Sequence, residues 1–97
     1  MKVYAKAGEG GSILFNGGEA AGTGEFGFPY VWCAYGQSAT LAAVPKAGFA
    51  FVGWQGDTWA IQDGGKPTDR TIAVKSDTAI QLKAVFAKRT GVVFLVK

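Results

Sequence analysis

YGQSATLAAVPKAGFAFVGWQGD, residues 35–57, carries the densest apolar content of the chain. Tyr35-Gly36 is a turn signal, and an apolar run follows from Ala39 to Val44, closed by Pro45. Ala39, Leu41 and Ala43 alternate with Thr40, Ala42 and Val44, the period of two that sends successive side chains to opposite faces of a strand. Pro45-Lys46-Ala47-Gly48 is a turn, its glycine free to take a positive φ. Beyond it Phe49 and Phe51 share one face, and Val52 and Trp54 the other. Gly53 is a natural bulge site, and a bulge there re-aims Trp54 towards the core. Two apolar strands about one short turn are expected to form a hairpin at the centre of the core.

Towards the N-terminus, Val3, Ala5 and Ala7 alternate with Lys2, Tyr4 and Lys6, as in a half-buried strand. Gly8-Glu9-Gly10-Gly11 breaks it, and Ser12 to Asn16 is a second short strand ended by Gly17-Gly18. These two strands are expected to pair as a hairpin. Glu19 to Gly27 reads as a loop. Its Gly22-Thr23-Gly24-Glu25-Phe26-Gly27 formally matches a dinucleotide-binding GxGxxG, but that mechanism needs a helix to follow. Pro29 and the β-branched and aromatic residues Tyr30 to Trp32 allow none.

Phe26, Phe28, Tyr30 and Trp32 alternate with Gly27, Pro29, Val31 and Cys33, which places four rings on one face of an extended segment. Pro29 argues for an edge or a strand's beginning. The rings are expected to cover one side of the core; the alternative is an exposed row that serves as a binding platform. Cys33, on the other face, reads as a small buried hydrophobe.

Towards the C-terminus, Asp57 to Arg70 is a long connection. Asp57, Asp63 and Asp69 recur at intervals unlike the alternating ligands of an EF-hand loop. Trp59 either folds back as a lid or stands exposed for a partner. Thr71 to Lys75 is a strand with Ile72 and Val74 inward. Ala79 to Ala87 is the cleanest strand, with Ile80, Leu82, Ala84 and Phe86 on one face. Val92 to Val96 is almost wholly apolar and is expected to pair, since an exposed apolar strand invites aggregation.

Ninety-seven residues with 48% hydrophobic and 18% charged content suit one folded domain. Nothing approaches eighteen consecutive apolar residues, so no membrane insertion is expected. The start, Met1-Lys2-Val3-Tyr4, lacks an apolar signal-peptide core, which places any export signal outside this stretch. The net charge of +3 is uneven: seven bases face two acids from Lys66 onward, and three face five before it. The bases are spread along strand-like segments, and no nucleic-acid partner is expected. A single cysteine allows no internal disulfide. The absence of histidine removes the commonest general base and metal ligand together.

The chain resembles the divergent internalin B-repeat family, the Listeria–Bacteroides repeat type. The likeness rests on Glu9-Gly10-Gly11-Ser12-Ile13, Tyr35-Gly36 with the strand ending Ala43-Val44-Pro45, Gly48-Phe49-Ala50-Phe51-Val52-Gly53-Trp54, and the closing Ala84-Val85-Phe86. It spans roughly residues 3 to 87; the segment from Glu19 to Ala34 is longer and more aromatic than such a repeat needs, and the tail after Lys88 lies outside the pattern. The resemblance implies β-grasp-like modules of secreted or surface-anchored bacterial proteins, spacers, stalks or adhesion units without catalytic residues. It also implies that Phe49, Phe51, Trp54 and Phe86 are core, and the alternation adds Leu82. The expected fold is mainly β: one small domain over 1–97 of six to eight short strands with little helix, a β-grasp-like sheet or a compact sandwich. Its repeat-like core is 3–87, with a C-terminal strand or linker at 88–97. No enzyme activity, cofactor or metal is expected. The expected partners are neighbouring domains of the same polypeptide, or a host or cell-wall protein or glycan reached through Trp59, Trp32 and Tyr30. The isolated fragment is expected to be a monomer.

Overall fold

Alternating short strands separated by glycine turns cannot bury one face alone, so they stack as two sheets about a shared interior. The structure, a computed structural model, describes residues 2–24, 27–34, 36–62, 64–75 and 78–88. These form eight strands: β1 (Lys2–Ala7), β2 (Gly11–Phe15), β3 (Gly22–Thr23), β4 (Pro29–Trp32), β5 (Ala39–Pro45), β6 (Phe49–Gly56), β7 (Thr71–Val74) and β8 (Ile80–Lys88), with one 3-10 turn at Thr58–Ala60. The mainly β expectation holds, as does the strand count. One sheet has the order β3-β4-β1-β8-β6 and the other β2-β5-β7. All pairs are antiparallel except β1 with β8, which run parallel at the middle of the larger sheet. The Val92 to Val96 segment expected to pair lies outside the described residues, as do Phe26, Tyr35 and Asp63.

Both expected hairpins are overturned. β1 sits between β4 and β8, whereas β2 pairs only with β5 in the opposite sheet. Likewise β5 is the central strand of the smaller sheet, and β6 is the edge of the larger one. Each short turn therefore carries the chain across the core instead of folding it back on itself. The physical reason is burial: a two-stranded ribbon hides one face poorly, while strands in opposing sheets press their apolar faces together. The two crossings meet at one end of the molecule. There the Lys46 N–H donates to the Gly10 carbonyl (2.8 Å) and the Gly8 N–H to the Ala84 carbonyl (2.8 Å). Gly10, at φ 102°, leaves room for the Phe49 ring where a Cβ would stand. Gly11 does the same for the Phe86 ring.

The interior is built mostly from small side chains. Ala5, Ala39, Ala43, Ala60 and Ala84 are buried with Val3, Leu41, Ile72, Val74, Ile80 and Leu82, and Trp54 is the largest side chain among them. The bulge falls where glycine suggested it. Phe51 pairs with Phe86 and Gly53 with Val85, which leaves Val52 as the extra residue, and Val52 is exposed. Trp54 is thereby brought onto the face of Phe51, the rings 5.7 Å apart. Leu82, expected inward from the alternation, is buried, and of the remaining family-pattern positions Phe51 and Phe86 pack half-buried against the core. Phe49 is half-buried over Gly10 at the end of the sandwich, not within that cluster.

Candidate functional site

The outer face of the larger sheet gathers rings and cations. The inward turn of Val3 and Ala5 leaves Lys2, Tyr4 and Lys6 pointing out, and β4 contributes Tyr30 and Trp32 in register, Tyr4 opposite Tyr30 and Lys2 opposite Trp32. Pro29 is the first residue of β4, the place where a missing N–H does least harm to the ladder. Tyr4 and Tyr30 rings lie 5.8 Å apart at 57°, and Tyr30 and Trp32 lie 5.6 Å apart at 84°. Lys2 Nζ stands 4.6 Å from the Tyr30 ring centre and 5.1 Å from that of Trp32, within cation–π reach. Lys6 Nζ is 5.6 Å from the Phe28 ring. Just past the short strand β3, glycine backs this row: a Cβ at Gly24 would meet the Tyr4 ring at 2.6 Å.

The expectation that these rings cover the core is corrected. Parity correctly put Phe28, Tyr30 and Trp32 on one face, but that face looks to solvent, and Trp32 is 57% exposed. The interior is lined instead by the other parity of β4: Cys33 is buried, and Val31 packs against the cluster. An interior this rich in alanine is too shallow for four further rings.

Trp59 is 64% exposed. The 3-10 turn that carries it is fastened by its neighbour: Ala60 is buried, and its carbonyl accepts from the Lys75 N–H at 3.0 Å. The lid reading is thus overturned, because Ala60 fills the place a lid would take. Trp59→Ala is expected to change stability by no more than about 0.5 kcal/mol in a urea titration, as for an ordinary surface site. Trp59 and Trp32 lie at the same end of the larger sheet, since Lys2 faces Trp32, Val3 faces Ile80, and the Asp57 N–H donates to the Gln81 carbonyl.

Two of the described acids, Asp57 and Asp69, hold the backbone of neighbouring segments. Asp57 Oδ2 accepts from the Gln81 N–H and Asp69 Oδ2 from the Lys66 N–H, each at 2.9 Å. No cluster of three or more metal-ligating side chains occurs among the described residues. An apolar cleft of about 440 Å³ opens between the free edge of β2 and the end of β1, lined by Ala5, Ala7, Ile13, Phe15, Ala20 and Pro29, with Ser12 and, as the one ionisable group among the described residues, Glu19. The lysine pattern on the outer face was missed in the sequence, where these bases read only as solvated positions.

A model of the divergent InlB B-repeat domain matches residues 31–90, more than half of the chain. The match takes in Trp32, the whole of β5 to β8 and Trp59, and leaves β1 to β3 and Tyr30 outside. No curated protein matches the chain, and no solved structure does.

Proposed function

The chain belongs to the divergent InlB B-repeat family, and from that we propose that it is a non-enzymatic module of a bacterial secreted or surface protein, acting as spacer, stalk or adhesion domain. The family is a repeat family of structural character and points to a bacterial surface protein. The match over residues 31–90 carries the reading. The packing supports it: the interior is apolar throughout the described residues, with no buried polar or charged side chain to do chemistry. Its contacts would be with neighbouring domains of the same polypeptide and with a host or cell-wall protein or glycan, and the isolated chain would sediment as a monomer.

The test is an exchange of this chain, within its parent protein, for an unrelated β-sandwich of equal length. A spacer predicts unchanged surface display and adherence. An adhesion domain predicts intact display with adherence lost. Turnover of any substrate that disappears when one specific Asp or Glu is neutralised would overturn both.

The exposure of Trp32 and Trp59 favours a second reading, in which Trp59, Trp32 and Tyr30 bind a glycan or peptide. Aromatic side chains with one apolar body and one polar tip suit such contacts. Tryptophan fluorescence that shifts on titration with wall glycans, and no longer does so in Trp32→Ala, would support it. A spectrum indifferent to every glycan would remove its glycan form.

A further inference from the structure

We propose that the outer face of the larger sheet binds a polyanionic glycan, a polysaccharide whose sugars carry carboxylate or sulfate groups. This deepens the second reading above and rests on it. The first observation is charge. The strands of the larger sheet contain Lys2, Lys6, Lys83 and Lys88, and none of the described acids, Glu9, Glu19, Asp57 and Asp69, falls within any strand. Three of these lysines share the outer face: Lys2 and Lys6 on β1, and Lys83 between the buried Leu82 and Ala84 of β8.

The second observation is register. Parallel pairing of β1 with β8 sets Lys6 directly beside Lys83. Like charges at paired positions destabilise a sheet. On the far side of Lys83 stands Gln55, and no carboxylate pairs with either lysine among the described residues. A site that concentrates positive charge without its own counter-ion is complementary to an anion supplied from outside. Phe28 beside Lys6, and Tyr30 and Trp32 beside Lys2, add apolar ring surface next to each cation. A sugar ring laid on the exposed Trp32 would bring its acidic substituent within reach of Lys2, and the next acidic group along the polymer would meet Lys6 and Lys83.

The ring geometry favours a glycan over single-stranded nucleic acid. Successive bases need open, parallel ring faces. Here the neighbouring rings are tilted at 57° and 84°, and Lys2 covers Tyr30. Among the described residues no arginine stands on any strand of this face.

The experiment titrates the whole chain with heparin (sulfated), polygalacturonate (carboxylated), dextran (neutral) and oligothymidylate, following tryptophan fluorescence at low and high salt. Expected are binding to heparin, to polygalacturonate or to both, weakening as salt rises, and none to dextran. The Lys6→Gln/Lys83→Gln double variant should lose at least about tenfold in affinity, the order expected when two ionic contacts are removed. Its low-salt melting temperature should not fall, because the substitution relieves a repulsion; this separates lost binding from lost folding. Equal affinity of the double variant would place the anion site elsewhere and overturn the proposal. Dextran binding that depends on Trp32 would overturn it while leaving the glycan reading intact. Tighter binding to oligothymidylate than to either charged polysaccharide would replace it with nucleic-acid recognition. No binding to any polysaccharide would overturn the proposal and leave the second reading only its peptide form.

Discussion

Trp54→Ala is expected to lower the unfolding free energy by about 3–5 kcal/mol, the range for truncating a buried large aromatic. Trp54 is 3% exposed and is the bulkiest side chain in an interior otherwise rich in alanine. Small neighbours anchored in two hydrogen-bonded sheets cannot move in to fill the space, so most of the cavity would persist. The indole also ties a loop to the sheet: Nε1–H donates to the Asp69 carbonyl at 2.8 Å, and the Trp54 backbone N–H donates to the Pro67 carbonyl at 2.7 Å. Trp54→Phe keeps much of the volume and loses only the indole hydrogen bond, for an expected cost of about 1–2 kcal/mol. Urea unfolding of the three proteins should rank them wild type, Phe, Ala. A Trp54→Ala curve that overlays the wild type would show that the bulge does not deliver this ring to the core.

The second large effect is at Gly56, the last residue of β6. Its φ is 103°, and a Cβ there would stand 2.5 Å from the Gln81 carbonyl oxygen, a backbone atom of the adjacent strand. That oxygen accepts the Asp57 N–H, and the Gln81 N–H donates back to Asp57 Oδ2. An alanine must therefore strain the backbone and push apart the junction that positions the Trp59 turn. Gly56→Ala is expected to cost roughly 2–4 kcal/mol, from backbone strain of about 1–3 together with about 1 in all from the two weakened hydrogen bonds. Gly48 is the control. It too has a positive φ, 85°, but nothing lies within 4 Å of its would-be Cβ. Gly48→Ala should cost only about 1–2 kcal/mol, the left-handed backbone penalty alone. Equal losses at the two sites would show that backbone conformation, and not the close approach to β8, governs Gly56.

Much of the strand layout was legible because alternation is written residue by residue. The inward sets Val3 and Ala5, Ala39 with Leu41 and Ala43, Ile72 with Val74, and Ile80 with Leu82 and Ala84 could all be read from period two. The bulge was legible because glycine stood between Val52 and a tryptophan that needed burial. Pairing was not legible: the turns at Gly8 to Gly10 and at Pro45 to Gly48 are short enough for hairpins, yet both cross between sheets. Nor was the direction of the aromatic row, since parity says which rings share a face and not which face meets solvent.

Residues 35–57 by themselves determined two strands, the turn between them, their inward sets and the bulge that turns Trp54 inward, because backbone geometry and local apolar spacing govern those features. Only the tertiary structure decided that the two strands oppose each other across the core, that Tyr30 and Trp32 face out, and that Lys6 lies beside Lys83. The reason is that strand partnership depends on which apolar faces best cover one another. The β1–β8 pairing joins segments from opposite ends of the described chain, where no local pattern can encode the register.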